Sequence, residues 1–134
     1  MKNHLSYIIV DDDPTNNMIC NMTLRNTLGT VATQTFTDPE EGLQYIRNNF
    51  DRNSGKTVLF LDLNMPTISG WQFLEKYDSF SEEVKMQINI YLLSSSIDRR
   101  DWEKSKKNKY VKGFLVKPMY AETILSIDAK KFIT

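Results

Sequence analysis

Five short apolar runs punctuate the chain: LSYIIV (5–10), VATQTF (31–36), TVLFLDL (57–63), INIYLL (88–93) and KGFLVK (112–117). Their length predicts β-strands. Four are nearly continuous in apolar residues, as strands buried on both faces are, although Asn89 makes the start of the fourth less clean. VATQTF alternates, which predicts an edge strand. Helices are predicted between the runs. Asp13-Pro14 reads as an N-cap and a first helical position, followed by a stripe of Cys20, Leu24 and Leu28, with Gly29 just past the end. Asp38-Pro39-Glu40-Glu41 repeats the signal with an acidic first turn, followed by Leu43, Ile46 and Phe50. Further helices are expected from about Gly70 to Tyr77, from Asp98 to Asn108, and from Tyr120 into the C-terminal tail.

Strands alternating with helices predict βαβ units and an α/β doubly wound parallel sheet with helices on both faces. Right-handed crossovers then put the C-terminal ends of all strands on one edge, where open sheets of this kind bind ligands. No repeat or linker-like stretch divides the 134 residues, so a single domain over 1–134 is expected.

Charge changes the picture by pointing inward. Lys+Arg and Asp+Glu balance at 17 each. No global field favours nucleic acid or a membrane surface, so an electrostatic function has to be local. Cys20 is the single cysteine, which excludes an internal disulfide and a thiolate cluster and suits a reducing compartment. The N-terminus lacks the pattern of a signal peptide, and no run approaches the ~20 apolar residues of a membrane span. The expectation is a soluble cytoplasmic protein.

The chemistry sits at the strand ends. The first strand runs into Asp11-Asp12-Asp13, the third into Asp62-Leu63-Asn64-Met65-Pro66, the fourth into Ser94-Ser95-Ser96 and the fifth into Lys117-Pro118. Each has a plain reading alone. Asp13 is an N-cap, Asp62 a turn aspartate, the serines a capping cluster and Lys117-Pro118 a turn. Together they bring carboxylates, a hydroxyl and an ammonium to one edge. Adjacent carboxylates repel unless a cation or a proton intervenes. A hard divalent cation such as Mg²⁺ takes oxygen ligands and keeps several waters. Asp12 and Asp62 are candidate direct ligands, with Asp11 direct or through water. The Asp62 carboxylate is then a candidate nucleophile toward a phosphoryl group, with Lys117 supplying charge and the Ser94 hydroxyl a hydrogen bond.

In VDDDP (10–14), LDLNMPTISG (61–70), LLSSS (92–96) and GFLVKP (113–118), the chain resembles a response-regulator receiver domain of two-component signalling, over nearly its whole length and in the stand-alone, chemotaxis-regulator-like form. The resemblance implies a flavodoxin-like five-stranded sheet of order 2-1-3-4-5. It implies Asp62 as phosphoacceptor, Mg²⁺ (or Mn²⁺) held by Asp11, Asp12, Asp62 and the Asn64 backbone carbonyl, and Lys117 on the phosphoryl group. Ser94 is then the switch hydroxyl and Phe114 the switch aromatic. Ser95 stands where many members have Ala, and Asn64 and Ser96 occupy positions that tune dephosphorylation. The Lys117-Pro118 bond is often cis in the family.

The implied role is a phosphoprotein that catalyses its own phosphoryl transfer and hydrolysis, rather than a conventional enzyme. A sensor histidine kinase or phosphotransfer protein is the donor. Ser94 moves toward the phosphoryl group and Phe114 turns inward behind it. The face built from the family's fourth helix, fifth strand and fifth helix then changes its affinity for a downstream protein, or for a second copy, since receivers often dimerise there. No output domain, direct nucleic-acid contact or membrane contact is expected. Between Asp98 and Lys112, Arg99, Arg100, Lys104, Lys106, Lys107, Lys109 and Lys112 outnumber Asp98, Asp101 and Glu103. This reads as a solvated helix face, with docking of an acidic partner as the functional reading and nucleic acid as the third.

Asp11-Asp12-Asp13-Pro14-Thr15 also matches D-x-D-x-T, the nucleophile motif of haloacid-dehalogenase-type phosphatases. There Asp11 is the nucleophile and Asp13 the acid/base. That family needs a further acidic pair after the lysine, and none follows Lys117. It also expects an apolar residue where this chain has Asn16.

Overall fold

A computed structural model of the chain describes residues 5–50 and 55–130. The strands are β1 (Leu5–Val10), β2 (Ala32–Phe36), β3 (Lys56–Asp62), β4 (Ile88–Ser94) and β5 (Val111–Val116). The helices are α1 (Pro14–Leu28), α2 (Pro39–Asn49), α3 (Gly70–Tyr77), α4 (Glu82–Lys85), α5 (Arg99–Lys107) and α6 (Ala121–Lys130). Residues 131–134, into which the last helix was expected to run, lie outside the described residues.

All strand pairs are parallel, in the order β2-β1-β3-β4-β5 expected of the fold. Period-two alternation sorts the central strands into two cores. Ile8, Val10, Leu59, Leu61, Ile90 and Leu92 pack with Leu43 and Ile46 of α2 and with Phe73, Leu74 and Tyr77 of α3. Tyr7, Ile9, Val58, Phe60, Tyr91 and Leu93 pack with Cys20 and Leu24 of α1 and with Ile124 and Ile127 of α6. β2 is an edge, as its alternation predicts. β5 corrects the expectation of burial on both faces. It is the other edge, and Phe114 is its one buried residue. Val111 and Leu115 are half-buried against the two cores, and Val116 is exposed.

The caps stand where the sequence puts them. Asp13 accepts from the Thr15 N–H and Asp38 from the Glu40 N–H, each at 2.9 Å. Gly29 ends α1 at φ 88°, a left-handed conformation that glycine adopts without a side-chain clash, and donates to the Arg25 carbonyl. The single-turn helix α4, capped by Ser81, is an addition to the expected elements. The family's fourth and fifth helices are accordingly α5 and α6 here.

Candidate functional site

The sheet ladder carries each site residue to the edge. Val10 pairs with Leu61, so Asp11 and Asp62 follow side by side on adjacent central strands. Hydrogen bonds run one step past the strands. The Asp11 N–H donates to the Phe36 carbonyl at 3.0 Å, Leu63 to Leu93 at 2.9 Å and Lys117 to Ser94 at 2.9 Å. The loop after β3 is closed by the Gly70 N–H on the Leu63 carbonyl at 2.8 Å. A Cβ at Gly70 would meet the Asp62 carbonyl oxygen and the Leu63 Cα, each at 3.0 Å, so this close approach needs glycine.

Asp11 and Asp62 are 1% and 2% exposed. The Lys117 ammonium sits between them, 2.9 Å from Asp11 Oδ2 and 3.2 Å from Asp62 Oδ1. Asp11 Oδ1 also accepts from the Asp13 N–H at 2.9 Å, and Asp62 Oδ1 from the Asn64 N–H at 3.2 Å. One ammonium does not balance two buried carboxylates. Burial, then the Asp11 charge, pushes the Asp62 carboxyl up to about 7 against the pull of Lys117 and the Asn64 N–H. Burial works against the Lys117 charge, but Asp11 and Asp62 outweigh it and hold the ammonium above its usual range.

Asp12 is the solvent-facing member of the pair. Carboxylate oxygens of Asp11, Asp12 and Asp62 all lie within 4.8 Å of one another. Three hard oxygen donors so close together, around a charge deficit, suit a small divalent cation that keeps part of its water. The set fits Mg²⁺, with the Asn64 carbonyl as the fourth candidate donor. Asp13 stands apart, occupied by its cap on α1.

Ser94 Oγ donates to the Ser96 carbonyl at 2.6 Å and accepts from Asn64 Nδ2 at 3.3 Å. Ser95 is exposed, and the Lys117-Pro118 peptide is cis. Phe114 is buried in the core on the α3 side. Sequence reasoning missed Asn17. This buried α1 side chain donates through Nδ2 to the Asp11 carbonyl at 3.0 Å and to the Phe36 carbonyl at 3.4 Å, tying α1 to the edge that carries Asp11. Its place three residues before Cys20, in line with the Cys20, Leu24 and Leu28 stripe, was the available signal. Cys20, under the same edge, is raised to about 12 by burial and then by Asp11, which makes it an inert core thiol.

Comparison with known proteins agrees with this fold. A sequence model described as the response regulator receiver domain matches residues 7–127. No curated protein matches the chain. Among solved structures, a response regulator receiver protein from Dyadobacter fermentans is 26% identical, with a TM-score of 0.89 over 97% of this chain and 99% of that one. A two-component response regulator from Cytophaga hutchinsonii is 24% identical, with a TM-score of 0.85 over 96% and 97%. The chemotaxis response regulator CheY4 of Vibrio cholerae is 22% identical, with a TM-score of 0.74 over 96% and 98%.

Proposed function

We propose that this chain, which belongs to the response regulator receiver domain family of two-component signalling, accepts a phosphoryl group on Asp62 and passes the event to the α5-β5-α6 face. The observation that carries the reading is the Lys117 ammonium bridging buried Asp11 and Asp62 beside Ser94 at the sheet edge. When bound by Asp11, Asp12, Asp62 and the Asn64 carbonyl, Mg²⁺ supplies charge that offsets the carboxylates and the incoming phosphoryl oxygens.

An Asp62 carboxylate oxygen attacks the phosphorus of a phosphohistidine on a kinase or phosphotransfer partner. The N–P bond breaks, its electron pair stays on the imidazole, and an aspartyl phosphate forms. Lys117, already against Asp62, neutralises charge on the phosphoryl oxygens. Ser94 then has a choice of acceptors. Exchanging the Ser96 carbonyl for a phosphoryl oxygen draws in the loop that leads to the Asp98 cap of α5. This favours one of two pre-existing arrangements by differential contacts. Because Phe114 is buried at the outset, the loop rather than the ring supplies the motion. Ile97, Trp102, Val116, Tyr120 and Leu125, on and around this face, are all exposed large apolar side chains, a surface suited to a protein partner or a second copy. Water attacking the acyl phosphate resets the domain, with Asn64 and Ser96 at the mouth of the site.

The test is intact mass after incubation with acetyl phosphate and Mg²⁺. We expect a gain of one phosphoryl group, lost in Asp62→Asn and kept in a cap variant, Asp13→Ala. No gain at short times and low temperature overturns the reading. Labelling that survives Asp62→Asn but not Asp11→Asn points to the phosphatase alternative.

A further inference from the structure

A groove with a cavity volume of about 430 Å³ runs along α3 from Trp71 to Asp78, between α3 and α5. None of Asp11, Asp62, Ser94 or Lys117 lines it. Its floor is aromatic and apolar. The half-buried Trp71 is fixed by its indole N–H donating to Asp101 on α5 at 3.0 Å. Leu74 is buried beside it. Tyr110 closes the far end, edge-on to Tyr77 at 5.2 Å and hydrogen-bonded through its hydroxyl to Asp78.

The α5 side of the groove is cationic. Lys104, Lys107 and Lys109 line it, all exposed, and none has a carboxylate within ion-pair distance among the described residues. The Lys104 ammonium lies 4.8 Å from the Trp71 ring centre and Lys109 lies 5.2 Å from that of Tyr110. The dipole at the C-terminus of α5 accounts for lysines in its last turn. It does not account for Lys109, which lies beyond the helix, or for ammoniums resting on rings. Held this way, the cations are pre-placed and lose less freedom when an anion arrives.

The α3 side differs. It carries Glu75 and Asp78. A polyphosphate backbone along the groove would meet both carboxylates, whereas a peptide can turn acidic side chains to α5 and an apolar one to the Trp71–Leu74 floor. We infer that the α3–α5 groove is a docking site for an acidic, partly apolar peptide segment of a partner protein. Charge complementarity and the aromatic floor carry the inference, and it stands whether or not Asp62 is phosphorylated.

The test titrates the full ¹⁵N-labelled chain with a short peptide of alternating glutamate and leucine, and in parallel with its lysine–leucine counterpart and with single-stranded oligothymidylate. We expect the acidic peptide to shift the Trp71 indole and the 74–78 and 104–110 amides, leaving the Asp11, Asp62 and Ser94 amides in place. Lys104→Glu with Lys107→Glu should weaken it at least tenfold. The charge-matched pair Arg25→Glu with Arg99→Glu should change it less than twofold. Circular dichroism confirms that both pairs fold. The inference is overturned if Trp71 does not respond at millimolar peptide, if the control pair weakens binding as much, or if the oligonucleotide shifts the same signals at lower concentration.

Discussion

At the C-terminal edge of the sheet, two buried carboxylates share the ammonium of Lys117, itself 13% exposed. In the α3–α5 groove, Lys104 and Lys109 lie on aromatic faces in contact with solvent. The same side-chain chemistry serves two purposes. At the edge, desolvation couples the charges, so Asp11 and Lys117 bear on the protonation of Asp62, and a cation or a phosphoryl group there is felt by all three side chains. In the groove, water screens the lysines from one another, so they act as independent contacts whose worth appears when a partner displaces that water.

The two regions separate most directly at Lys117. Lys117→Met leaves Asp11 and Asp62 buried with no counter-charge. Removing one partner of a buried pair costs about 3–5 kcal/mol. Urea unfolding in a chelator should show a loss of that size, and added Mg²⁺ should recover part of it, since the Asp11–Asp12–Asp62 oxygen set remains. A loss below about 1 kcal/mol would mean the edge is screened as the groove is.

Asp62 gives the next largest effect, and its sign is unusual. Burial raises its carboxyl to about 7 from the ordinary 3.8 of an aspartate. Below about pH 4 both folded and unfolded chains hold the proton. Between about pH 4 and 7 the folded chain keeps a proton that the unfolded chain releases, so the stability contributed by this group falls as pH rises. Above about 7 the loss is complete, on the order of 4 kcal/mol. In a chelator, the difference in unfolding free energy between the native chain and Asp62→Asn should therefore grow from pH 4 to 7, with the variant more stable at pH 8. Excess Mg²⁺ should flatten that difference. A difference independent of pH in the chelator would show that Asp62 is solvated.

These two regions were not equally legible in the sequence. The edge announces itself because a parallel sheet gathers strand endings, and Asp11, Asp12, Asp62, Ser94 and Lys117 all follow apolar runs. The three central strands, the Asp13 and Asp38 caps and Gly29 were readable for the same local reasons. The groove was legible only as a basic segment from Asp98 to Lys112. That Lys104, Lys107 and Lys109 face Trp71 and Tyr110 depends on how α5 packs beside α3, which no local pattern encodes. The misreading of β5 has a related cause. Val111, Leu115 and Val116 are apolar, but the edge position leaves the first two half-buried against the cores and Val116 exposed. Helix α4, at four residues, is too short to show a period. Asn17 could be set in line with the α1 stripe, but the work of a buried carboxamide there is not legible until its carbonyl partners, Asp11 and Phe36, are placed.

The smallest effect is the sharpest control. Lys104→Met keeps the apolar stem against Trp71 and removes the charge. An exposed ammonium over an aromatic ring contributes about 0.5–1 kcal/mol, and the methionine thioether retains part of that through its contact with the ring. Unfolding of Lys104→Met should therefore lie within about 0.5 kcal/mol of the native chain, with no dependence on Mg²⁺. Labelling by acetyl phosphate should be unchanged, because Lys104 lies outside the set that holds Asp62. If Lys104→Met instead cost as much as Lys117→Met, the groove would be part of the folded core's electrostatics and would not be a surface held ready for a partner. A small stability change with a large loss of acidic-peptide affinity separates the two roles, since only a docking cation combines them.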